Sequence, residues 1–344
     1  MNIFNPSSQA SRSTLVQPKI AIVAPCFNEA EVLPSSLPKL YGVLHELVLH
    51  HGCHPESYIV LVDDGSKDAT WALIEAAATS SASRLVGIKL SRNAGHQYAL
   101  MAGLTYVTGK CDAVISIDVD LQDDLAAMPR MIAAYRNGAE IVLGVKETRA
   151  DDPFTKTFTA LTFYKLMRWM GADLVENHAD CRLMSSIALS NLAKFPEYFI
   201  FLRGLQPLLH KNITTVRYSL TPRLAGQSKY PLKKMLALAW NGITSFSVVP
   251  LRLISCIGAL VFLGSMLLAV SALFKALDGQ ALPGWASITV PLYLLGGMLM
   301  LSIGIVGEYV AKIFLEVKRR PRYLIDEILT TDVASKPDHA NVTL

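Results

Sequence analysis

The sequence predicts an α/β domain built around a parallel sheet, followed by two membrane-spanning helices. Between Lys19 and about Leu143, short apolar runs alternate with segments that have helical length and apolar spacing. This alternation is typical of a parallel sheet covered by helices on both faces. Two longer apolar runs, Ile254–Phe274 and Ile288–Gly307, contain no charged residue. Each has roughly the twenty residues that are needed to span a bilayer.

The composition also favours a membrane-attached protein. Of the 344 residues, 51% are hydrophobic and only 17% are charged, which is apolar for a soluble protein. The net charge of +4 is too small to indicate a nucleic-acid partner. The five cysteines are scattered without metal-ligand spacing, which fits a reducing compartment better than a disulfide framework.

The alternating region divides into short strands and longer helices. The predicted strands are Lys19–Ala24, Tyr58–Val62, Leu85–Leu90, Ala113–Ile117 and Glu140–Leu143. The predicted helices are Glu31–His50, Asp68–Ala78, Gln97–Val107 and Leu125–Asn137. Because ligands of such sheets bind beyond the carboxyl ends of the strands, polar residues at those ends are the candidate site.

A run of carboxylates follows the fourth predicted strand: Asp118, Asp120, Asp123 and Asp124. Carboxylates crowded at a strand end repel one another and favour a bound cation. Asp118 and Asp120 offer hard oxygen ligands that suit Mg²⁺ or Mn²⁺, and such an ion keeps open positions for substrate phosphates. The alternative interpretation is a solvated acidic turn that caps the next helix.

Polar loops also follow the first two strands. In Pro25–Glu29, Asn28 can cap the following helix and Glu29 favours its positive end. Asp64 precedes a glycine and is typical of a turn. Asp63 has no such structural explanation, and an acidic group at a strand end suits hydrogen bonding to a base or a ribose.

The loop after the third strand contains Arg92, which suits a diphosphate, and His96, which we interpret as a structural hydrogen-bonding residue. No glycine-rich phosphate loop of the dinucleotide or Walker type is visible, which argues against a dinucleotide enzyme or an ATPase.

The order and spacing of these loops, together with Asp118-Val119-Asp120, resemble glycosyltransferase family 2 and its GT-A nucleotide-binding fold. The resemblance extends from about Lys19 to Arg322. It implies that the nucleotide sugar is bound by Pro25, Phe27, Asn28, Glu29, Asp63, Asp64, Arg92, Asp118 and Gln122. It also implies a divalent metal, Mg²⁺ or Mn²⁺, at Asp118, Asp120 and Gln122.

A later segment, Asn177–Met184, resembles the family's Gly-Asp-Phe-Arg-Leu-Met sequence, with Ala179 and Cys181 as departures. Asp180 matches the position that is usually credited as the catalytic base. Two alternatives stay open: a structural ion pair with Arg182, or a carboxylate that orients other groups.

Arg223–Tyr230 resembles the phosphate-binding loop of polyprenyl-phosphate glycosyltransferases. The candidates for holding acceptor or donor phosphates are Arg203, which precedes this loop, and Arg223, Ser228 and Lys229 within it. The resemblance implies inverting transfer of a hexose, glucose from UDP-glucose in the first instance, to undecaprenyl phosphate. Mannose, galactose, N-acetylhexosamine and aminoarabinose are alternative sugars, since dolichol-phosphate mannose synthases and aminoarabinose transferases share these motifs. A hypothesis from another class is a non-catalytic membrane scaffold or flippase subunit.

The expected organisation is a flexible tail over 1–17, a cytoplasmic GT-A domain over 18–230 and a juxtamembrane amphipathic segment over 231–252. Two transmembrane helices over 253–311 and a cytoplasmic tail over 312–344 follow. Basic residues flank the apolar runs, so the positive-inside rule puts both flanks in the cytoplasm and the connection at 275–287 outside. Phe154–Met170 is compatible with a helix on the membrane surface or against the domain. The protein is therefore expected at the inner membrane, and a homo-oligomer is compatible with the sequence.

Overall fold

The computed structural model describes residues 17–80, 84–146, 178–198, 202–218, 249–277 and 285–330. These residues belong to two compact units. The first contains the described residues up to 218 together with 321–330, and the second contains the described residues between 249 and 320.

The first unit is built on one sheet. Its strands are β1 (Ile20–Cys26), β2 (Tyr58–Asp63), β3 (Leu85–Leu90), β4 (Ala113–Ser116), β5 (Ile141–Lys146), β6 (His178–Ser185), β7 (Ile213–Tyr218) and β8 (Ile325–Leu329). Its helices are α1 (Leu33–His50), α2 (Thr70–Ala78), α3 (His96–Val107), α4 (Ala127–Arg136), α5 (Ser186–Leu192) and α6 (Leu202–Leu209). The strands and helices predicted between residues 19 and 143 are present, with small shifts at their ends.

The sheet has eight strands in the order β7-β5-β6-β4-β1-β2-β3-β8. β1, β2, β3 and β4 are parallel, as the sequence predicts, and β5 is parallel to β7. The prediction of a wholly parallel sheet is wrong, because β6 runs antiparallel to both β4 and β5. Strand direction depends on the long connection that precedes β6, and residue periodicity does not reveal the path of that connection.

The strand β8 also corrects the predicted organisation. It pairs antiparallel with β3 and covers the edge of the sheet, although residues 312–344 were expected to form a tail. An exposed sheet edge leaves unpaired backbone groups, and a short added strand satisfies them. The first unit therefore contains a segment from the far end of the chain.

Helix α3 packs closely on the middle of the sheet. A Cβ atom added at Gly103 would lie 2.5 Å from Val23 Cγ1 and 3.0 Å from Val62 Cγ2. The absent side chain thus permits a close approach of α3 to β1 and β2. Because α3 connects β3 to β4 across these strands, its first turn comes near the carboxyl end of β4.

The second unit contains α7 (Val249–Leu277) and α8 (Trp285–Lys318). Among the described residues, one stretch is long and apolar enough to cross a membrane: Leu295–Lys318, with 24 residues and a mean hydropathy of 1.7. A shorter apolar stretch, Val249–Val261, lies in α7. The predicted pair of spans is therefore not confirmed; the one candidate overlaps the second predicted run and extends beyond it.

Candidate active site

The loops that follow β1 and β2 are joined by hydrogen bonds at the carboxyl edge of the sheet. Asn28 N donates to Ser66 Oγ at 2.9 Å, and Lys67 N donates to Asn28 Oδ1 at 2.9 Å. Glu29 N donates to Thr70 Oγ1 at 2.8 Å. Asn28 has a φ of +54°, in the left-handed region that asparagine tolerates better than most residues. These contacts bring the first two predicted loops together.

Asp63 and Asp64 lie side by side but have different partners. Asp63 is fully buried, and Ser66 N donates to its carboxylate at 3.3 Å. Asp64 is also buried, and it accepts hydrogen bonds from Ala94 N at 2.7 Å and Gly95 N at 2.9 Å. Asp64 therefore holds the loop after β3. Burial raises the pKa of both carboxyl groups.

The acidic loop after β4 brings Asp118 close to a residue of α3. His96 Nε2 lies 3.6 Å from Asp118 Oδ1. His96, Asp118 and Asp180 each offer one ligand atom, and these atoms lie within 4.8 Å of one another. Asp120 instead accepts hydrogen bonds from Gln122, from Nε2 at 2.5 Å and from the backbone N at 3.3 Å. The structure thus places His96 and Asp180 beside Asp118, one of the predicted metal ligands.

The electrostatics of this cluster fit a divalent cation. Burial, together with the neighbouring Asp180 and Asp120 carboxylates, raises the pKa of Asp118 to about 7. Burial and the Asp120 charge also raise the pKa of Glu29, which therefore belongs to the same field. A cation would relieve this repulsion, and carboxylate oxygens with an imidazole nitrogen are suitable ligands for it.

Asp180 lies on β6 between two arginines. Asp180 Oδ1 accepts from Arg182 Nη2 at 3.1 Å, and Asp180 Oδ2 accepts from Arg203 Nη2 at 2.9 Å. Arg182 is two positions further along the strand, so both side chains point to the same face. Burial opposes ionisation, but the charges of Arg203 and Arg182 lower the pKa of Asp180 to about 2. The ion pair with Arg182, which the sequence left as an alternative, is present together with an ion pair to Arg203.

Asp123 is a further buried acid, within the acidic loop after β4. Asp123 is 4% exposed, and Lys146 Nζ lies 3.5 Å from its Oδ1. Sequence reasoning did not single out Lys146, and it gave His96 a structural role rather than a place beside Asp118. The rule that polar residues at strand ends form the site points to Lys146, the last residue of β5. The proximity of His96 to Asp118 can be found only from the path of α3 in three dimensions.

The other predicted site residues are exposed, belong to a strand or lie outside the described residues. Phe27 is 43% exposed, and Arg92 is exposed in the loop after β3. Pro25 lies in β1, paired with Val62. The predicted phosphate-binding residues Arg223, Ser228 and Lys229 lie outside the described residues, as do 154–170.

The mixed α/β sheet with crowded carboxylates beyond its strand ends is an arrangement that GT-A-like glycosyltransferases share. The family model for glycosyl transferase family 2 matches residues 21–192. The uncharacterized glycosyltransferase YkoT of Bacillus subtilis is 46% identical over 310 residues, covering 90% of this chain and 92% of the relative. The chain belongs to glycosyl transferase family 2 and is a glycosyltransferase.

Relatives with more specific names cover a similar length. The bactoprenol glucosyl transferase of Shigella phage SfX is 40% identical, covering 89% of this chain and 98% of the relative. The prophage bactoprenol glucosyl transferase homolog of Escherichia coli K12 is 37% identical, covering 90% of this chain and 99% of the relative. Likeness to solved structures is weaker. The crystal structure of glucosyl-3-phosphoglycerate synthase from Mycobacterium tuberculosis has a TM-score of 0.45 at 17% identity, and the match covers 72% of this chain and 84% of that protein.

Proposed function

We propose that the protein transfers a hexose from a nucleotide sugar to undecaprenyl phosphate, and that the donor is UDP-glucose. The observation that carries this proposal is the similarity to bactoprenol glucosyl transferases along about nine-tenths of the chain, at 37–40% identity. The product is a lipid-linked sugar for modification of a cell-envelope glycan.

The joined loops after β1 and β2 are the proposed nucleotide site. The buried Asp63 carboxylate suits hydrogen bonding to the base or ribose, while Phe27 offers an exposed apolar ring. Asp64 contributes indirectly, because its carboxylate holds the backbone of the loop that contains Arg92. The guanidinium of Arg92 suits the donor diphosphate.

Asp118, Asp120 and Gln122 are the proposed holders of Mg²⁺ or Mn²⁺. His96 and Asp180 are near enough to Asp118 to complete the coordination. When bound, the ion offsets negative charge on the leaving nucleoside diphosphate. The ion pair between Asp123 and Lys146 stabilises the loop.

Arg203, Arg223, Ser228 and Lys229 are the proposed ligands of acceptor or donor phosphates. The acceptor is a phosphate monoester whose second pKa is about 6, so it is mostly a dianion near pH 7. An acceptor oxygen that is already ionised attacks the anomeric carbon, expels the nucleoside diphosphate and inverts that centre. Positioning and charge compensation are then the main requirements. Asp180 supplies positioning, because its carboxylate fixes the guanidinium of Arg203.

We also infer that the chain spans the inner membrane twice, through 254–274 and 288–307, with the domain at 18–230 in the cytoplasm. The exposed apolar side chains along α8 support contact with lipid; Leu299, Met300 and Leu301 are 62%, 70% and 65% exposed. The basic residues Lys318, Arg319 and Arg320, which follow the apolar part of α8, favour a cytoplasmic end for that helix.

A donor screen tests this proposal. The purified full chain is incubated with Mn²⁺ or Mg²⁺, undecaprenyl phosphate and, in turn, UDP-glucose, UDP-galactose, UDP-N-acetylglucosamine, GDP-mannose and UDP-aminoarabinose. Formation of glucosyl lipid with UDP-glucose is the expected result. Transfer from another donor alone would replace glucose with that sugar, and absence of transfer from every donor would favour the non-catalytic alternative.

A further inference from the structure

The loop that precedes α6 is attached to α3 through a pair of tyrosines. Tyr98 Oη donates a hydrogen bond to the backbone carbonyl of Tyr198 at 2.7 Å. The two rings also contact each other, with centroids 6.2 Å apart and planes inclined at 53°. An inclined aromatic pair adds to the stability of such a contact. This loop is therefore held by the helix that also presents His96 to the acidic cluster.

The same loop is attached to the chain segment that follows α8. Arg322 Nη2 donates to the backbone carbonyl of Phe195 at 3.1 Å. Just beyond Arg322, Ser91 N donates to the carbonyl of Leu324 at 2.9 Å, and β8 then pairs with β3. Arg322 is thus fixed to the sheet on one side and reaches the loop on the other.

Helix α6 begins at Leu202 and presents Arg203 to Asp180. The far end of α6 is fixed to α5, because Asn191 Nδ2 donates to the Leu209 carbonyl at 3.0 Å. Arg203 lies at the other end, which follows the loop held by Tyr98 and Arg322. The attachments of that loop are therefore close in sequence to Arg203.

We propose that Tyr98 and Arg322 are positioning residues that clamp the loop at 195–198 and thereby fix Arg203 for the transfer reaction. The hydrogen bonds of the clamp are made to backbone carbonyls, and the ring contact between Tyr98 and Tyr198 adds to them. It also links the segment after α8 to the active site. The kinetic part of this inference rests on the proposed function and takes Arg203 as a ligand of the acceptor phosphate, one of the two roles proposed for it above.

The first test removes only the hydroxyl of Tyr98, by Tyr98→Phe in the full chain in nanodiscs. Loss of one hydrogen bond should raise amide exchange in residues 202–209 about fivefold, equivalent to about 1 kcal/mol. The KM for undecaprenyl phosphate should rise by a similar factor, with the KM for the donor unchanged.

A matched control is available in Tyr135→Phe. Tyr135 is 2% exposed, and its hydroxyl donates to the Asp112 carbonyl at 3.2 Å, at the opposite end of β4 from the acidic cluster. This variant loses the same kind of hydrogen bond, so its melting temperature should fall. Its exchange over 202–209 and its acceptor KM should stay as in the wild type.

The second test is Arg322→Gln, with Arg320→Gln as the control for loss of positive charge near the membrane. Arg320 is exposed and lies two positions earlier. Arg322→Gln should accelerate exchange over 202–209 and raise the acceptor KM about fivefold. Arg320→Gln should change neither quantity.

The exchange measurement separates this inference from the proposed function. Unchanged exchange over 202–209 in both Tyr98→Phe and Arg322→Gln would overturn the clamp, whatever the activity. If exchange is faster in both variants but the wild-type protein transfers no sugar to undecaprenyl phosphate, the clamp is supported and the proposed function is refuted. Equal effects of Tyr98→Phe and Tyr135→Phe over these residues would also refute the clamp.

Discussion

Replacing Gly65 with alanine should damage the donor site through the backbone of a neighbouring loop. Gly65 follows Asp63 and Asp64 at the end of β2 and has a φ of +66°. A Cβ atom at this position would lie 2.6 Å from both Arg92 C and Asn93 N. These are backbone atoms, so the contact cannot be relieved by rotating a side chain.

The magnitude follows from two contributions. A left-handed backbone costs a residue with a Cβ about 1–2 kcal/mol. Displacement of a packed loop adds about 1–3 kcal/mol. Gly109 provides the control, because its φ is +77° but an added Cβ would meet nothing within 4 Å. Gly109→Ala should therefore lose about 1–2 kcal/mol, and Gly65→Ala about 2–5 kcal/mol.

The assay combines unfolding with donor kinetics. Thermal or chemical unfolding of both variants measures the difference in stability. Because Asp64 fixes the backbone at 94 and 95, movement of this loop should also raise the donor KM in Gly65→Ala but not in Gly109→Ala. If the two variants lose the same stability and keep the same donor KM, the described approach of the loops is wrong.

Three further predictions concern the metal, the topology and Asp180. Asp120→Asn or treatment with EDTA should lower sugar transfer at least about a hundredfold, and full activity in either case would refute the metal assignment. With the native cysteines replaced, an impermeant thiol reagent should label Asp278→Cys but not Lys67→Cys in intact cells; the reverse pattern would refute the two-span topology. Asp180→Asn should be slow yet keep the acidic limb of the rate profile near pH 6, because the acceptor phosphate titrates there. A limb that disappears or moves would restore Asp180 as an obligate base.

The parallel half of the fold was predictable because local patterns determine it. Each of β1 to β4 is a short apolar run that ends in polar residues, and the connecting helices have clear apolar spacing. The strands β6 and β8 were not predictable in this way. Their places depend on pairing with strands distant in sequence, Ala113 with Ser185 and Gly87 with Leu329.

In the candidate site, too, residues that follow a local pattern were predictable, and contacts that depend on the long-range path of the chain were not. The acids Asp63 and Asp118 were found because they directly follow apolar strands. His96 was assigned a structural role, since nothing in its local sequence indicates that α3 packs across β1 and begins near Asp118. The hydrogen bonds of Asp64 to the loop after β3 likewise depend on sheet order.

The contacts of Asp180 bear on whether the reaction needs a protein base. Both of its carboxylate oxygens accept hydrogen bonds from guanidinium groups, and these charges lower its pKa to about 2 despite burial. A carboxylate so stabilised in its ionised form is a weak proton acceptor near pH 7. An acceptor phosphate that is already a dianion gives it no proton to remove. The ion pair with Asp180 keeps the Arg203 guanidinium in place, while the ion pair with Arg182 holds the Asp180 carboxylate itself. A fixed cation offsets the negative charge of the attacking phosphate and of the departing diphosphate. The geometry therefore favours Asp180 as the group that orients Arg203.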